Sequence, residues 1–350
     1  MEALRIDGKL IGPEHPPYFI AEIGSNHNGD MDLARKLIDA VVETGADAVK
    51  FQSWSKKSLV SKAEFARNTK YADSFRHFGS LEEMVEKYQL TPQQHREVSA
   101  YCEQKGVTFI STPFSKPEVD LLDELGIPFF KIASMDVNNL PLLAEVGAKG
   151  KPVMLSTGMA TLGEIERALA VLREAGSGAV SLLHCISIYP PKFEDINLRN
   201  IPMLQRTFGI PVGFSDHSQG TAIPLAAIAL GACVVEKHFT LDRDMPGWDH
   251  WVSADPGEMS KLVAEGRNIF TALGSEVRSV NAEEQSKKLA FRRCCVAARP
   301  LPAGHVLGAT DLDYKRPGAG IHPDETRYLI GRTLKRDLGE DDIVSWDDLI

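Results

Sequence analysis

The sequence predicts an α/β chain: a (β/α)8 TIM barrel followed by a small, β-rich C-terminal domain. Three observations carry this. Eight short apolar runs alternate with helical patterns between residues 18 and 270. The runs are apolar throughout, as in strands buried on both faces, and strand–helix alternation implies parallel pairing. Beyond residue 275 the texture changes to short apolar pieces rich in Pro and Gly. An open doubly wound sheet is the rival reading. It is weakened because no G-x-G-x-x-G follows the first run.

In chain order, LRIDGKLIG (4–12) places an Asp-Gly turn between two β-like pieces and predicts a small hairpin. The eight runs are YFIAEIG (18–24), DAVKFQ (47–52), VTFISTPF (107–114), FFKIAS (129–134), PVMLSTG (152–158), VSLLHC (180–185), PVGFSDHS (211–218) and ACVVEKHF (232–239). Helical stretches such as DLARKLIDAVVETG, PQQHREVSAYCEQKG and LGEIERALAVLREAG lie between them and end at Gly, a common helix stop. DPGEMSKLVAEGRNIF follows the eighth run. The polar stretch 277–293 reads as a linker. The expected domains are therefore a barrel over 1–280, a linker over 281–291 and a compact domain over 292–350. The last is near the lower size limit for an independent core, so it is expected to dock on something.

Composition bounds the function. The chain has 350 residues, a net charge of -9 and a pI near 5.6, which argues against a general nucleic-acid or anionic-membrane surface. An anionic substrate must then find its lysines gathered locally. The N-terminus is polar and Pro-rich rather than a signal peptide, and no run approaches the roughly 18 apolar residues of a membrane span. A cytoplasmic enzyme is expected. The five cysteines show no C-x-x-C spacing and read as buried, reduced thiols.

In such a barrel the active site lies at the C-terminal ends of the strands. Every run turns polar there. The first gives Glu22, the second Lys50 and Gln52, the third Thr112, the fourth Lys131 and Ser134, the fifth Ser156. The sixth gives His184, then Ser187 and Tyr189; the seventh gives Ser215, Asp216 and His217; the eighth gives Glu236, Lys237 and His238. Glu236 and Asp216 read equally well as structural partners or as site residues. Two lysines among hydroxyls make a cradle for phosphate or carboxylate. His217 and His238 end neighbouring strands, which run about 4.8 Å apart, so one divalent ion is within reach of both. Two protein ligands leave that ion open positions for water and substrate.

AEIGSNHNGD, VKFQ, STPF, FKIAS, LSTGM, LLHC-x-x-x-YP, GFSDHS, VEKHFT and KRPG together resemble the sialic acid synthase family, from about residue 16 to the end. The resemblance implies a barrel plus a SAF (antifreeze-like) domain. It implies condensation of phosphoenolpyruvate with an N-acetylated hexosamine-type aldose, N-acetylmannosamine or a diacetamido-trideoxyhexose, to a nine-carbon 2-keto-3-deoxy acid and phosphate. It places Lys50, Thr112, Lys131, Ser134, Ser156 and Ser215 around phosphoenolpyruvate. It places Glu22, Gln52, His217 and His238 at the reacting centre, with the two histidines holding Mn2+ or Mg2+. Asp136, Ser187, Tyr189 and Asp249 fall to the sugar, joined by Arg316 reaching in from the partner of a homodimer. Ser187 stands where some members have Asn, Asp136 where some have Glu, and Trp248 where many have Pro, which leaves the acceptor open. The alternatives are a synthase of a shorter 3-deoxy-ulosonic acid acting on a phosphorylated aldose, and a non-catalytic carbohydrate-binding homologue.

Overall fold

The structure is a computed structural model that describes residues 3–69 and 79–350. The N-terminal hairpin forms as its Asp-Gly turn requires: β1 (Leu4–Ile6) pairs antiparallel with β2 (Lys9–Ile11). Eight strands follow: β3 (Tyr18–Gly24), β4 (Ala48–Ser53), β5 (Thr108–Pro113), β6 (Phe130–Ile132), β7 (Val153–Ser156), β8 (Val180–Cys185), β9 (Val212–Asp216) and β10 (Val234–His238). All their recorded ladders are parallel, and β10 pairs with β3, joining the last strand to the first. The barrel is nearly closed. At its seam β5 and β6 lie side by side, with no ladder recorded between them.

Helices cover the outside because their apolar faces have strands to meet. The helix Met31–Thr44 starts where Asp30 accepts from the amides of Asp32 and Leu33, and it buries Leu37, Ile38 and Val41. The outward residues Phe19, Val49, Phe51, Val153, Leu155 and Val235 share one core with such helical faces. The inward residues fall into two storeys. The lower is dry: Ile20, Ala48, Ile110, Met154, Leu183 and Val234 pack with Leu4, Ile6 and Ile11 of the hairpin. The hairpin thus plugs the N-terminal end of the barrel, each of its three buried side chains contributing about 1.5–3 kcal/mol. Two residues further along the same strand faces, the interior becomes charged, with Glu22, Lys50 and Glu236.

The chain divides into two compact units, Met1–Gly274 and Ser275–Ile350. The second is built on β11 (Cys294–Ala297) paired antiparallel with β12 (Leu312–Lys315), around Leu301, Leu307, Ile321, Leu334 and Val344. Within the stretch read as a linker, Ala282–Phe291 is a helix. Asn281 caps it, Glu283 pairs with Lys287 at 2.7 Å, and the Leu289 carbonyl accepts from the Gly318 amide at 2.7 Å. Polar composition hid a helix held by local charge pairs and capping. All five cysteines are free and buried. No described helix is long and apolar enough to cross a membrane.

Candidate active site

The charged storey opens into a cavity of about 280 Å3. Register explains who meets whom. Lys50 lies opposite Glu22 across β3 and β4, Gln52 opposite Thr112, and Glu236 opposite Ser215. Lys50 Nζ stands 3.1 Å from Glu22 Oε2 and donates to Thr112 Oγ1 at 3.2 Å. Gln52 Nε2 donates to Glu22 Oε1 at 2.6 Å. A bulge at Glu22/Gly24 admits this pair. Gly24 takes φ 53, and a Cβ there would stand 3.1 Å from Gln52 Nε2 and 3.2 Å from Glu22 Oε1.

Glu236 is the hub. Its Oε1 lies 3.4 Å from Lys50 Nζ and 3.4 Å from Lys131 Nζ, and it accepts from Ser215 Oγ at 3.1 Å. Lys131 reaches it from β6, on the far side of the barrel from β10. The electrostatics follow from two cations and two carboxylates in a dry place. Burial opposes the charge on Lys50, but Glu22 and then Glu236 overcome it and hold the lysine above its ordinary pKa. Burial prevails at Lys131 and lowers its pKa despite Glu236. Burial also opposes ionisation of Glu236, and Lys131 and Lys50 more than offset it. Glu22 is raised, chiefly by burial. Buried oxygens of Glu236 (Oε2) and Ser156 have no hydrogen-bond partner within the protein. Unsatisfied polar atoms around a cavity suit a polar guest.

The histidines sit at the edge of this cradle. Their ring centroids are 5.6 Å apart, and the Tyr189 ring stacks on His217 at 3.9 Å. His217 Nδ1 donates to the Ile186 carbonyl at 2.8 Å, which turns its Nε2 lone pair outward. His238 Nδ1 is buried without a hydrogen-bond partner, 3.8 Å from Asp249 Oδ2. Burial, then His217, holds His238 well below its usual pKa, as a neutral ligand requires. An orphaned imidazole nitrogen beside a second oriented imidazole fits a divalent cation. Among the described residues no cluster of three or more His, Cys, Asp or Glu is placed to hold an ion, so these two imidazoles would leave it open positions.

The cavity gathers Glu22, Lys50, Gln52, Thr112, Lys131, Ser134, Ser156, Ser187, Tyr189, Ser215 and His217. His238 and Asp249 are buried beside it. Asp136 is not in the lining; its Oδ1 accepts from Asn139 Nδ2 at 2.9 Å, and it belongs to the short turn below Ser134. Arg316 belongs to the second unit, 5.1 Å above the Phe291 ring. Asp216 is structural: it accepts from Lys237 Nζ at 2.7 Å and from the Ser218 amide at 2.9 Å, fixing the turn that carries His217. Sequence reasoning left Glu236 undecided and passed over Cys185 and Gly158. Cys185 lines the cavity with Sγ 4.0 Å from His217 Nδ1. A Cβ on Gly158 would come within 2.4 Å of Ser187 Oγ and 2.9 Å of Ser134 Oγ. The signal for it was a glycine directly after a polar strand end, where hydroxyls converge.

The loop beyond β10 is tied down by the loop that follows its neighbouring strand, β3. Asn26 Nδ2 donates to the Phe239 carbonyl and to Ser253 Oγ, both at 2.9 Å. Asn28 Nδ2 donates to the Pro246 carbonyl at 2.9 Å. Trp248 packs against a satellite cluster that includes Trp54, Phe65 and Tyr88.

The NeuB family model matches residues 37–278, and the SAF domain model matches residues 292–350. The chain belongs to the NeuB family. Among its NeuB-family relatives is the N,N'-diacetyllegionaminic acid synthase of Campylobacter jejuni, 40% identical over 93% of this chain and 98% of that one. The N-acetylneuraminate-9-phosphate synthase of Homo sapiens is 35% identical over 96% of this chain and 94% of its own length. Among solved structures, the N-acetylneuraminic acid synthetase of Leptospira borgpetersenii, in complex with citrate, superposes with a TM-score of 0.74 and 34% identity. That match covers 81% of this chain and 94% of the other.

Proposed function

We propose that this NeuB-family enzyme condenses phosphoenolpyruvate with the open-chain aldehyde of an N-acylated amino hexose. The observation that carries the reading is the buried pair Lys50 and Lys131, held on one carboxylate beneath a ring of hydroxyls. Phosphoenolpyruvate brings a phosphate and a carboxylate, and Lys50, Lys131, Thr112, Ser134, Ser156 and Ser215 are the donors that meet them. Carbon 3 of phosphoenolpyruvate bonds to the aldehyde carbon, whose oxygen takes up a proton and becomes a hydroxyl; water adds at carbon 2, and the carbon–oxygen bond to phosphate breaks. Glu22 takes the proton of that water. Its raised pKa, due first to burial, suits a carboxyl that gains and loses protons, and Gln52 orients it. A divalent cation, Mn2+ or Mg2+, on His217 and His238 supplies Lewis-acid polarisation of the aldehyde when bound.

Tyr189, Ser187 and Asp249 face the sugar. Burial, then the Asp249 carboxylate, keeps the Tyr189 phenol protonated well above its usual pKa, so it donates. Asp136 acts from beneath Ser134, and Arg316 completes the sugar site from the partner subunit of a homodimer. Relatives named for N,N'-diacetyllegionaminic acid rank high in identity, so a diacetamido-trideoxyhexose is the first acceptor to try and N-acetylmannosamine the second. The test is phosphate release from phosphoenolpyruvate against a panel of amino sugars, with Mn2+ and after exhaustive chelation. Release that needs both an N-acylated hexose and the ion supports the reading. Full turnover after chelation would remove the metal, and release only with a phosphorylated aldose would replace the acceptor.

A further inference from the structure

Behind the wall of the cavity lies a chain of buried polar side chains that the chemistry above does not use. Ser53 and Ser111 are wholly buried at the ends of β4 and β5, and His95 meets them from the helix Pro92–Lys105. Ser53 Oγ stands 2.7 Å from His95 Nε2 and 2.6 Å from Ser111 Oγ, and His95 Nδ1 stands 2.9 Å from the Thr91 carbonyl. A carbonyl only accepts, so Nδ1 carries the ring's proton. Burial holds the ring below its usual pKa and so neutral. Nε2 then accepts from Ser53, and the Ser53 oxygen accepts from Ser111. The donors run one way, from Ser111 through Ser53 and His95 to Thr91. Phe51 and Phe109, which share the outward faces of these strand ends, and Val98, one turn along the helix, are apolar. Hydrocarbon at all three positions would have avoided the cost of burying polar groups.

Three features of the fold show what this chain holds. Ser53 directly follows Gln52 and Ser111 directly precedes Thr112, two cavity residues that stand opposite each other in the register. Gln52 donates to Glu22, and Thr112 accepts from Lys50. Pro113 stands opposite Ser53 and has no N–H with which to continue the ladder. Among the recorded ladders β5 pairs with β4 alone, since the seam of the barrel lies on its other side. The end of β5 is thus where the backbone holds the wall least. We propose that Ser111, Ser53 and His95 are positioning residues: from behind the wall they clamp the end of β5 to β4 and to the helix, and so set Thr112 against Lys50 and Gln52 against Glu22. The inference rests on the proposed condensation, in which those four residues meet phosphoenolpyruvate and the attacking water. A fully satisfied buried polar chain fixes one arrangement where apolar packing tolerates several.

The test uses the full-length protein with Mn2+, phosphoenolpyruvate and whichever of N-acetylmannosamine and a diacetamido-trideoxyhexose turns over faster. Ser111→Ala releases β5 from the chain and strands no donor, because Ser53 still donates to His95. Its urea midpoint is expected to stay near that of the wild type. Its kcat/KM for phosphoenolpyruvate is expected to fall about 10- to 100-fold, the scale of an ångström's misplacement, with KM for the sugar unchanged. Ser111→Thr keeps the hydroxyl and is expected to retain most of the wild-type rate. The combined variant Ser53→Ala, Ser111→Ala, His95→Leu replaces the whole chain by hydrocarbon. Its urea midpoint is expected to lie close to the wild type, yet its kcat/KM is expected to be as low as that of Ser111→Ala. Wild-type kcat/KM in Ser111→Ala, or rates that follow the urea midpoint across the three variants, overturns the positioning role while leaving the condensation intact. A wild type that releases phosphate with neither sugar overturns the condensation, and the positioning role with it.

Discussion

At the scale of single residues, Glu236 decides whether the floor of the cavity can exist. Two ammonium groups in a dry barrel repel each other and lack water, and one carboxylate answers both at 3.4 Å. Removing one partner of a buried ion pair typically costs about 3–5 kcal/mol, because the remaining charge stays stranded. Glu236→Gln is therefore expected to lower the unfolding free energy of the barrel by about 3 kcal/mol, read by urea denaturation. A change below about 1 kcal/mol would show that Glu22 alone neutralises the lysines. Lys50 and Lys131 were legible in the sequence because a lysine inside an apolar run has few explanations. The role of Glu236 was not, because its partner Lys131 sits on a strand across the barrel, and no local spacing encodes that meeting. His217 and His238 were legible as neighbours. The Ile186 carbonyl that fixes the His217 tautomer was not, since it depends on the course of a loop.

At the scale of elements, the eight strands could be read because each is buried on both faces, while the helix Ala282–Phe291 could not, because it buries none of its residues. Among the ties on the segment that delivers Asp249, one buried amide holds both of its ends. Asn26 spans the Phe239 carbonyl and Ser253, and it is wholly buried. Asn26→Ala leaves that carbonyl without its partner, at a cost of about 1–3 kcal/mol. Because the loop carries Asp249, the kinetic signature is expected to be a raised KM for the sugar with KM for phosphoenolpyruvate unchanged, measured by initial rates at saturating co-substrate. Equal rises in both would mean that the loop supports the whole cavity rather than the acceptor alone. Nothing in SNHNG announces this role. Asn and His after a strand read equally well as ligands or as turn formers, and here Asn26, Asn28 and His27 all spend hydrogen bonds on loops.

At the scale of the whole molecule, the second unit carries a pH dependence of its own. In the second unit Asp311 accepts from His305 Nε2 at 2.7 Å, the Gly308 amide at 2.9 Å and Arg299 Nη2 at 2.6 Å. These contacts, His305 first, hold its carboxyl down at about 2. The folded value lies below the unfolded value of about 3.9, so this stabilisation is complete above pH of about 4 and is lost as pH falls through about 2. Asp311→Asn should weaken hydrogen-exchange protection of residues 294–350 at neutral pH, and the gap to wild type should close between pH of about 4 and about 2. A gap that stays constant over that range would assign the effect to packing. The proposed homodimer has its own test: mixing Arg316→Ala chains with His217→Ala chains should restore part of the activity, since one mixed site is intact. No recovery in a verified heterodimer would place Arg316 in its own subunit's chemistry or outside it.

The hairpin that stoppers the lower end of the barrel has a kinetic corollary. A vessel sealed at the bottom has one doorway, and everything that enters or leaves queues there. On the condensation proposed above, the lysines next to the dry storey hold the anion and Tyr189 and Ser187 hold the sugar nearer the mouth, so a sugar bound first would bar the way down. That reading predicts loading in a compulsory sequence, phosphoenolpyruvate before aldose. Initial-rate patterns with a dead-end sugar analogue should be uncompetitive toward phosphoenolpyruvate. A competitive pattern would mean that the floor can be reached past an occupied neck.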